Sequence, residues 1–385
     1  MCPQSILYFD HSATSWPKPP GVAEAMQEAL LEAGGNPGRG AHSLALAAEH
    51  TVTRARGDVA RLLGVPDARD LVFTPGCTFA LNLVLKGTLR RGDRVVVSAL
   101  EHNAVVRPLH VLAARGVKVA RVQADSEGHI DADAVERAVA ASATRMVICQ
   151  HASNVTGAIQ PVADLADIAH EHGAVMVVDG AQAAGHLPLD LATLGVDAYA
   201  CSGHKGLLGP QGVGVLYLAP GLSPVELVQG GGGGPSEEPV QPDIRPDRYE
   251  AGTGNTPGAA GLGAAARYLL EHGAEIERRE RSLTRRLHEG LRGIPGVKVL
   301  GPAIDVPRAP VVSMTHDRIP PDEIAFSLDR RYGIAVRAGL HCSPWTHGMT
   351  GTLETGAVRF GIGWNLTEDD VDRALEAVRE VCAGS

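Results

Sequence analysis

Six short apolar runs, at residues 94–99, 117–122, 145–150, 174–179, 197–201 and 212–218, punctuate the first two-thirds of the chain. Each is rich in Val, Ile or Ala and is bounded by Gly or a charge, the pattern of strands buried on both faces of a mostly parallel sheet. Between them lie Ala-rich stretches of helical spacing, such as 131–142 and 161–172. Pro161 suits the first turn of its helix and Gly173 the stop after it. This alternation predicts a layered α/β domain whose ligands sit beyond the carboxyl ends of the strands. Further on, a helical pattern spans 259–291, and a Pro-rich stretch leads into strand-like 311–315. A helix from Pro321, strand-like 334–337 and a last helix over 368–382 after Thr367 complete a smaller α+β unit. The expected division is a large domain over 12–256, with a small domain from 1–11 and 257–385.

With 385 residues, 44% hydrophobic and 21% charged, the chain has ample material for both cores. A net charge of -9 without a basic run argues against nucleic acid as a partner. No apolar run reaches the length of a membrane span, and residues 1–10 lack the basic start and apolar stretch of a secretory signal. Cys2, Cys77, Cys149, Cys201, Cys342 and Cys382 are scattered, with neither zinc-type nor disulfide-type spacing. A reducing cytoplasm and no bound metal are the expectations.

Asp179 closes one apolar run and the segment Ser202-Gly203-His204-Lys205 closes another. An Asp and a Lys at neighbouring strand ends can hold the two sides of pyridoxal phosphate. The amine condenses with the aldehyde, while the carboxylate keeps the ring nitrogen protonated. Ser202 and His204 can donate to a phosphate, and Gly203 permits close backbone approach. Of the five lysines, Lys18 and Lys118 read as surface charge, and only Lys205 follows a buried strand among small polar residues. A second anion site is readable at residues 74–78, where a strand over 70–73 leads into a helix expected to open at Phe79. There Thr78 and the backbone amides would meet an anion. The run 230–234 lacks strand-loop-helix spacing and reads as a loop. Cys342 has Gly339 before it and Ser343-Pro344 after it, which predicts an exposed loop, and nearby His341 and Arg337 would favour its thiolate. The other cysteines read as structural or incidental.

Taken together these motifs resemble the cysteine desulfurase family (Suf-like group) of class V aminotransferase-like enzymes. The resemblance runs from 8–15 and 35–42 through Glu101-His102-Asn103, Ser153-Asn154 with the residues to Gly157, VDGAQ at 178–182 and SGHK at 202–205. It continues through 248–256 to the Cys342 segment. His11 stands where the family commonly has Asn, Leu340 where His is frequent, and 343–356 follows a different pattern.

The resemblance implies the fold type I of pyridoxal-phosphate-dependent transferases, with a mostly parallel sheet in the large domain. It implies Lys205 as the lysine joined to the cofactor, Asp179 at the ring nitrogen and His102 as the stacking acid/base. It further implies Asn154 and Gln182 at the ring oxygen or substrate, and Thr78, Ser202 and His204 at the phosphate. Thr253 would come from the other subunit of a homodimer, and Arg359 would clamp the substrate carboxylate. The implied reaction converts L-cysteine to L-alanine with a persulfide on Cys342, and an acceptor protein or small thiol removes the sulfur, as in iron–sulfur cluster assembly. Selenocysteine lyase acting on L-selenocysteine is the alternative. Another class V activity (C–S lyase, aminotransferase, racemase) or a non-catalytic sulfur-assembly scaffold would not need Cys342.

Overall fold

The computed structural model describes residues 6–38, 40–232 and 237–384. Cys2, Arg39 and residues 233–236 of the glycine-rich stretch lie outside the described residues. A short strand β1 (Leu7–Tyr8) precedes helices α1 (Val22–Glu32) and α2 (Ser43–Leu63). The central layer then alternates: β2 (Leu71–Thr74), α3 (Cys77–Thr88), β3 (Arg94–Ser98), α4 (Asn103–Ala114), β4 (Lys118–Val122), α5 (Ala132–Ala140) and β5 (Met146–Gln150). It closes with α6 (Val162–Glu171), β6 (Val175–Asp179), β7 (Ala198–Ser202) and β8 (Gly214–Leu218). The sheet order is β2-β8-β7-β6-β5-β3-β4, and only β8 runs against the rest. Every residue of β5, β7 and β8 is buried, which is why those runs are continuously apolar rather than alternating.

All six runs named above are strands, within two residues at either end. Two local expectations shift. Pro161 is the residue before α6 rather than in its first turn, and α3 opens at Cys77, two residues earlier than expected. Gly173 does end the α6 segment, with φ 69°.

Helix α7 (Thr256–Arg292) crosses from one core to the other. Its first half lies against α1 and α2, where a Cβ on Gly263 would stand 2.8 Å from the Ala55 Cα. The small residues of 258–266 permit that approach. Leu262, Leu269 and Ile276 join the core of the large sheet, whereas Leu283, Leu287 and Leu291 join that of a four-stranded sheet. That second sheet has order β12-β13-β10-β9, from β9 (Val297–Leu300), β10 (Val311–His316), β12 (Arg337–Gly339) and β13 (Ala357–Gly361). Around it stand α8 (Pro321–Tyr332), β11 (Ile334–Ala335) and α10 (Glu368–Ala383), the last capped by Thr367 accepting from the Asp370 N–H. The short α9 (Pro344–Met349) packs through Trp345 and Met349 on the cores of the large sheet. Leu7 and Phe9 pack in this same core, and β1 pairs with β11. We place the change of core inside α7, between Ile276 and Leu283.

Candidate active site

The strands β2, β3, β5, β6 and β7 deliver their carboxyl ends to one edge of the sheet, and the loops that follow them surround one cavity. Thr78, His102, Asn154, Asp179, Gln182, Ser202 and Lys205 line it, together with Cys77 and Gln150. A second opening beside it is walled by Gly76, Thr78, Asn82, Ser202 and His204 at the start of α3. Seven of the residues expected in the site therefore share one cavity, and His204 adjoins it. Thr253 does not. It is exposed, and it lines a separate, larger cavity with Asn36, Pro37 and Gly38.

Asp179 is 5% exposed, and its Oδ1 accepts from the Ala181 N–H at 3.0 Å and the Cys77 thiol at 3.3 Å. Gly180 is required behind it, because a Cβ there would stand 1.9 Å from the Tyr199 ring. Burial lowers the Lys205 pKa from its ordinary value, against the opposing pull of Asp179. The carbonyl of His204, in the peptide before Lys205, accepts from Thr14 Oγ1 (3.2 Å), Ser15 N (2.8 Å), Ser15 Oγ (3.1 Å) and Lys18 Nζ (3.1 Å). Lys18 is thus half-buried and anchored under the site, not a surface charge as expected, and burial pushes its pKa down to about 8. Lys118 is exposed, as expected.

His102 caps α4, its Nδ1 accepting from the Ala104 N–H at 3.0 Å, so the neutral ring carries its proton on Nε2. Burial pushes its pKa down to about 4. Gln182 gives its amide N–H to the Ser12 carbonyl at 2.9 Å, leaving Oε1 buried without a partner, and His204 Nδ1 is likewise unpartnered. Arg359 lies on β13 as expected but is 2% exposed; it pairs with Asp10 at 2.9 Å and donates to the Asn154 carbonyl at 3.2 Å. It is no surface arginine.

Cys342 is exposed. His341 and Cys342 both adopt left-handed backbone angles, φ 49° and 59°, a conformation costing about 1–2 kcal/mol per non-glycine residue. Asn154 meets this loop on both sides of the cysteine. Its Nδ2 donates to the His341 carbonyl at 2.7 Å, and its Oδ1 accepts from Ser343 Oγ at 2.7 Å. The expectation that His341 favours the thiolate is corrected. The ring is buried, gives its Nε2 proton to the Ala357 carbonyl, and has its pKa pushed down to about 2, so it stays neutral. Cys77, read as structural or incidental, is buried at the start of α3, with its thiol donating to Asp179.

One buried acid beside the cavity was not anticipated. Glu101 is fully buried, accepting on Oε1 from Ser98 Oγ and the Gln150 N–H, with Oε2 unpartnered. Burial raises its pKa from 4.5 to about 8. The folded state thus keeps a proton that the unfolded chain sheds, and this contribution, complete below about pH 4.5, is lost as pH rises toward 8. Glu101→Gln should remove that slope, worth up to about 4 kcal/mol between pH 5 and pH 8. Urea unfolding of both proteins across this range measures it, and parallel pH profiles would refute the assignment.

A cavity holding an amine and a carboxylate, with a helix N-terminus and an unpartnered His204 nitrogen at one end, has the donor set that pyridoxal phosphate needs. With the mostly parallel seven-stranded sheet, it defines the fold type I class of pyridoxal-phosphate-dependent enzymes. The aminotransferase class-V family matches residues 7–374. A probable cysteine desulfurase of Methanothermobacter thermautotrophicus is 35% identical over 382 residues, covering 97% of this chain and 94% of that one. The apo cysteine desulfurase of Thermococcus onnurineus superposes with a TM-score of 0.90 at 35% identity, covering 99% of this chain and 95% of the other. The S-sulfonic acid form of the cysteine desulfurase CsdA from Escherichia coli gives 0.88 at 31%, covering 98% and 95%. The chain belongs to the aminotransferase class-V family, among its cysteine desulfurases.

Proposed function

We propose that this chain uses pyridoxal phosphate to take sulfur from L-cysteine, leaving L-alanine, with Cys342 as the sulfur-accepting thiol. The observation that carries the reading is the exposed Cys342 on a loop bonded directly to Asn154, a residue lining the cavity that holds Lys205 and Asp179. When bound, the cofactor supplies an aldehyde that captures amines and a ring that draws electrons from the substrate carbon. Lys205 would join it, Asp179 would hold the ring-nitrogen proton, and Thr78, Ser202, His204 and the start of α3 would hold the phosphate. Gln182 would reach the ring oxygen after its amide turns from Ser12. His102 would stack on the ring and offer the proton on Nε2, and Arg359 would meet the substrate carboxylate.

Lys205, disfavoured as an ammonium by burial, takes the substrate α-proton on Nζ. The Cys342 thiolate then forms an S–S bond to the substrate sulfur as the substrate C–S bond breaks. Cβ keeps that electron pair and takes a proton, Lys205 Nζ returns its proton to Cα, and alanine results. An acceptor protein or small thiol must remove the persulfide sulfur, as iron–sulfur cluster assembly would require. Thr253 and residues 36–38 line a separate cavity rather than the one holding Lys205, and this supports reading them as serving the site of a second subunit in a homodimer. Among the described residues no helix is long and apolar enough to cross a membrane, and we assign the enzyme to the cytoplasm.

The test measures alanine and sulfide from L-cysteine with excess dithiothreitol, beside L-selenocysteine, for wild type and Cys342→Ala. Equal alanine and sulfide are expected from wild type. The variant should be at least 100-fold slower while keeping the cofactor's visible absorbance. Activity on selenocysteine alone, or equal turnover by the two proteins, would overturn the reading.

A further inference from the structure

The amide of Asn154 is engaged at both ends, and both partners flank Cys342. One hydrogen goes to the His341 carbonyl, and Oδ1 receives the Ser343 hydroxyl, each at 2.7 Å. Asn154, His341 and Ser343 are all buried, at 5%, 4% and 0% exposure, so little water competes for these groups. The carbonyl of Cys342 itself accepts from the Asn103 N–H at 2.8 Å, at the start of α4 and next to His102. Just beyond, Thr346 Oγ1 donates to the Leu100 carbonyl at 2.8 Å. Four bonds therefore fasten residues 341–346 to the wall of the cavity. They hold His341 and Cys342 in left-handed angles that non-glycine residues otherwise avoid.

We propose that Asn154 is a positioning residue, a two-armed latch that holds the Cys342 loop in its strained conformation and so sets where the thiol meets the substrate. Backbone angles of this kind persist only where the surroundings over-determine them. The flanking bonds from Asn154, one on each side, are what over-determine this pair. The amide keeps a second hydrogen and a second lone pair, so the latch stays closed while the same side chain faces the cavity. Cofactor site and nucleophile are thereby joined through one residue. The inference rests on Cys342 being the sulfur acceptor, but its first readouts need no turnover.

Hydrogen exchange at the Asn103 amide, whose bond to the Cys342 carbonyl reports loop docking, is measured with site-resolved alkylation of Cys342 by iodoacetamide. Ser343→Ala removes one arm without touching the cavity lining, and Asn154→Ala removes both. Exchange at Asn103 should speed up about tenfold in Ser343→Ala and more in Asn154→Ala. The alkylation rate of Cys342 should change in the same order, while the cofactor absorbance of Ser343→Ala stays that of wild type. With L-cysteine, Ser343→Ala should lower kcat about tenfold with KM within twofold, a split that general loosening of the protein would not give. Wild-type exchange and alkylation in both variants would overturn the latch. So would Asn154→Ala raising KM alone with Asn103 exchange unchanged, which would make Asn154 a substrate ligand only. Should cysteine turnover prove absent altogether, exchange and alkylation still decide whether the latch exists.

Discussion

Lys205→Ala is expected to lose turnover of cysteine by roughly four orders of magnitude and yet to fold as well as wild type. The amine is the one group in the cavity able both to join the cofactor and to move the α-proton, and removing a group that does both leaves no substitute. Folding should not suffer, because the buried amine is a burden in its charged form. Its folded-state pKa is lowered, so the folded state binds fewer protons than the unfolded chain between that value and 10.5. Wild-type stability without cofactor therefore rises with pH through this window, and the alanine variant lacks the rise. Lys205→Arg should be as inactive, since a guanidinium cannot give up its proton. The checks are kcat with L-cysteine, the loss of the covalent cofactor band, and urea midpoints at pH 7 and pH 9. Retention of a tenth of wild-type activity would remove Lys205 from its assigned role.

The sheet was legible because its strands are buried on both faces, and that burial writes itself into the sequence as continuous apolar runs between Gly and charge. Asp179 and Lys205 were legible for a related reason. Each stands where such a run stops, and in a parallel sheet those stops share an edge. What escaped depends on contacts across long stretches of chain. The anchoring of the His204 carbonyl by residues 14–18 joins positions nearly 190 residues apart, and nothing near Lys18 marks it as half-buried. The Asn154 latch spans a similar distance, and the tripeptide His341-Cys342-Ser343 carries no sign of left-handed geometry, for which glycine is the usual marker. His341 misled for the opposite reason. A histidine beside a cysteine in sequence suggests a charged neighbour, but burial against the Ala357 carbonyl keeps this ring neutral. The division at residue 256 tracked a change in sequence pattern, while α7 runs through both cores because its apolar stripe packs on one sheet through Leu262, Leu269 and Ile276 and on the other through Leu283, Leu287 and Leu291.

Arg359→Ala is expected to cost about three orders of magnitude in kcat/KM for cysteine, mostly through KM, with Arg359→Lys losing at least tenfold. The guanidinium is planar and donates in a fixed fork, and a lysine ammonium cannot reproduce two parallel bonds to a carboxylate. In the protein alone the fork is already in use: one nitrogen pairs with Asp10 and another reaches the Asn154 carbonyl, while Nε has no partner. A substrate carboxylate must therefore compete with Asp10, which at 21% side-chain exposure can turn toward water as the substrate enters. Removing the arginine also leaves Asp10 without its ion-pair partner, a loss of about 2 kcal/mol in stability for a partly exposed carboxylate. Stability and binding can be separated with Asp10→Asn. The double variant Asp10→Asn/Arg359→Ala should recover the melting temperature, because no charge is left unpaired, but it should keep the raised KM. Asp10→Asn alone should bind cysteine more tightly than wild type, since the competitor for the guanidinium is gone. If the double variant instead regained wild-type KM, Arg359 would act only as the partner of Asp10, and the substrate carboxylate would have to be held by other residues.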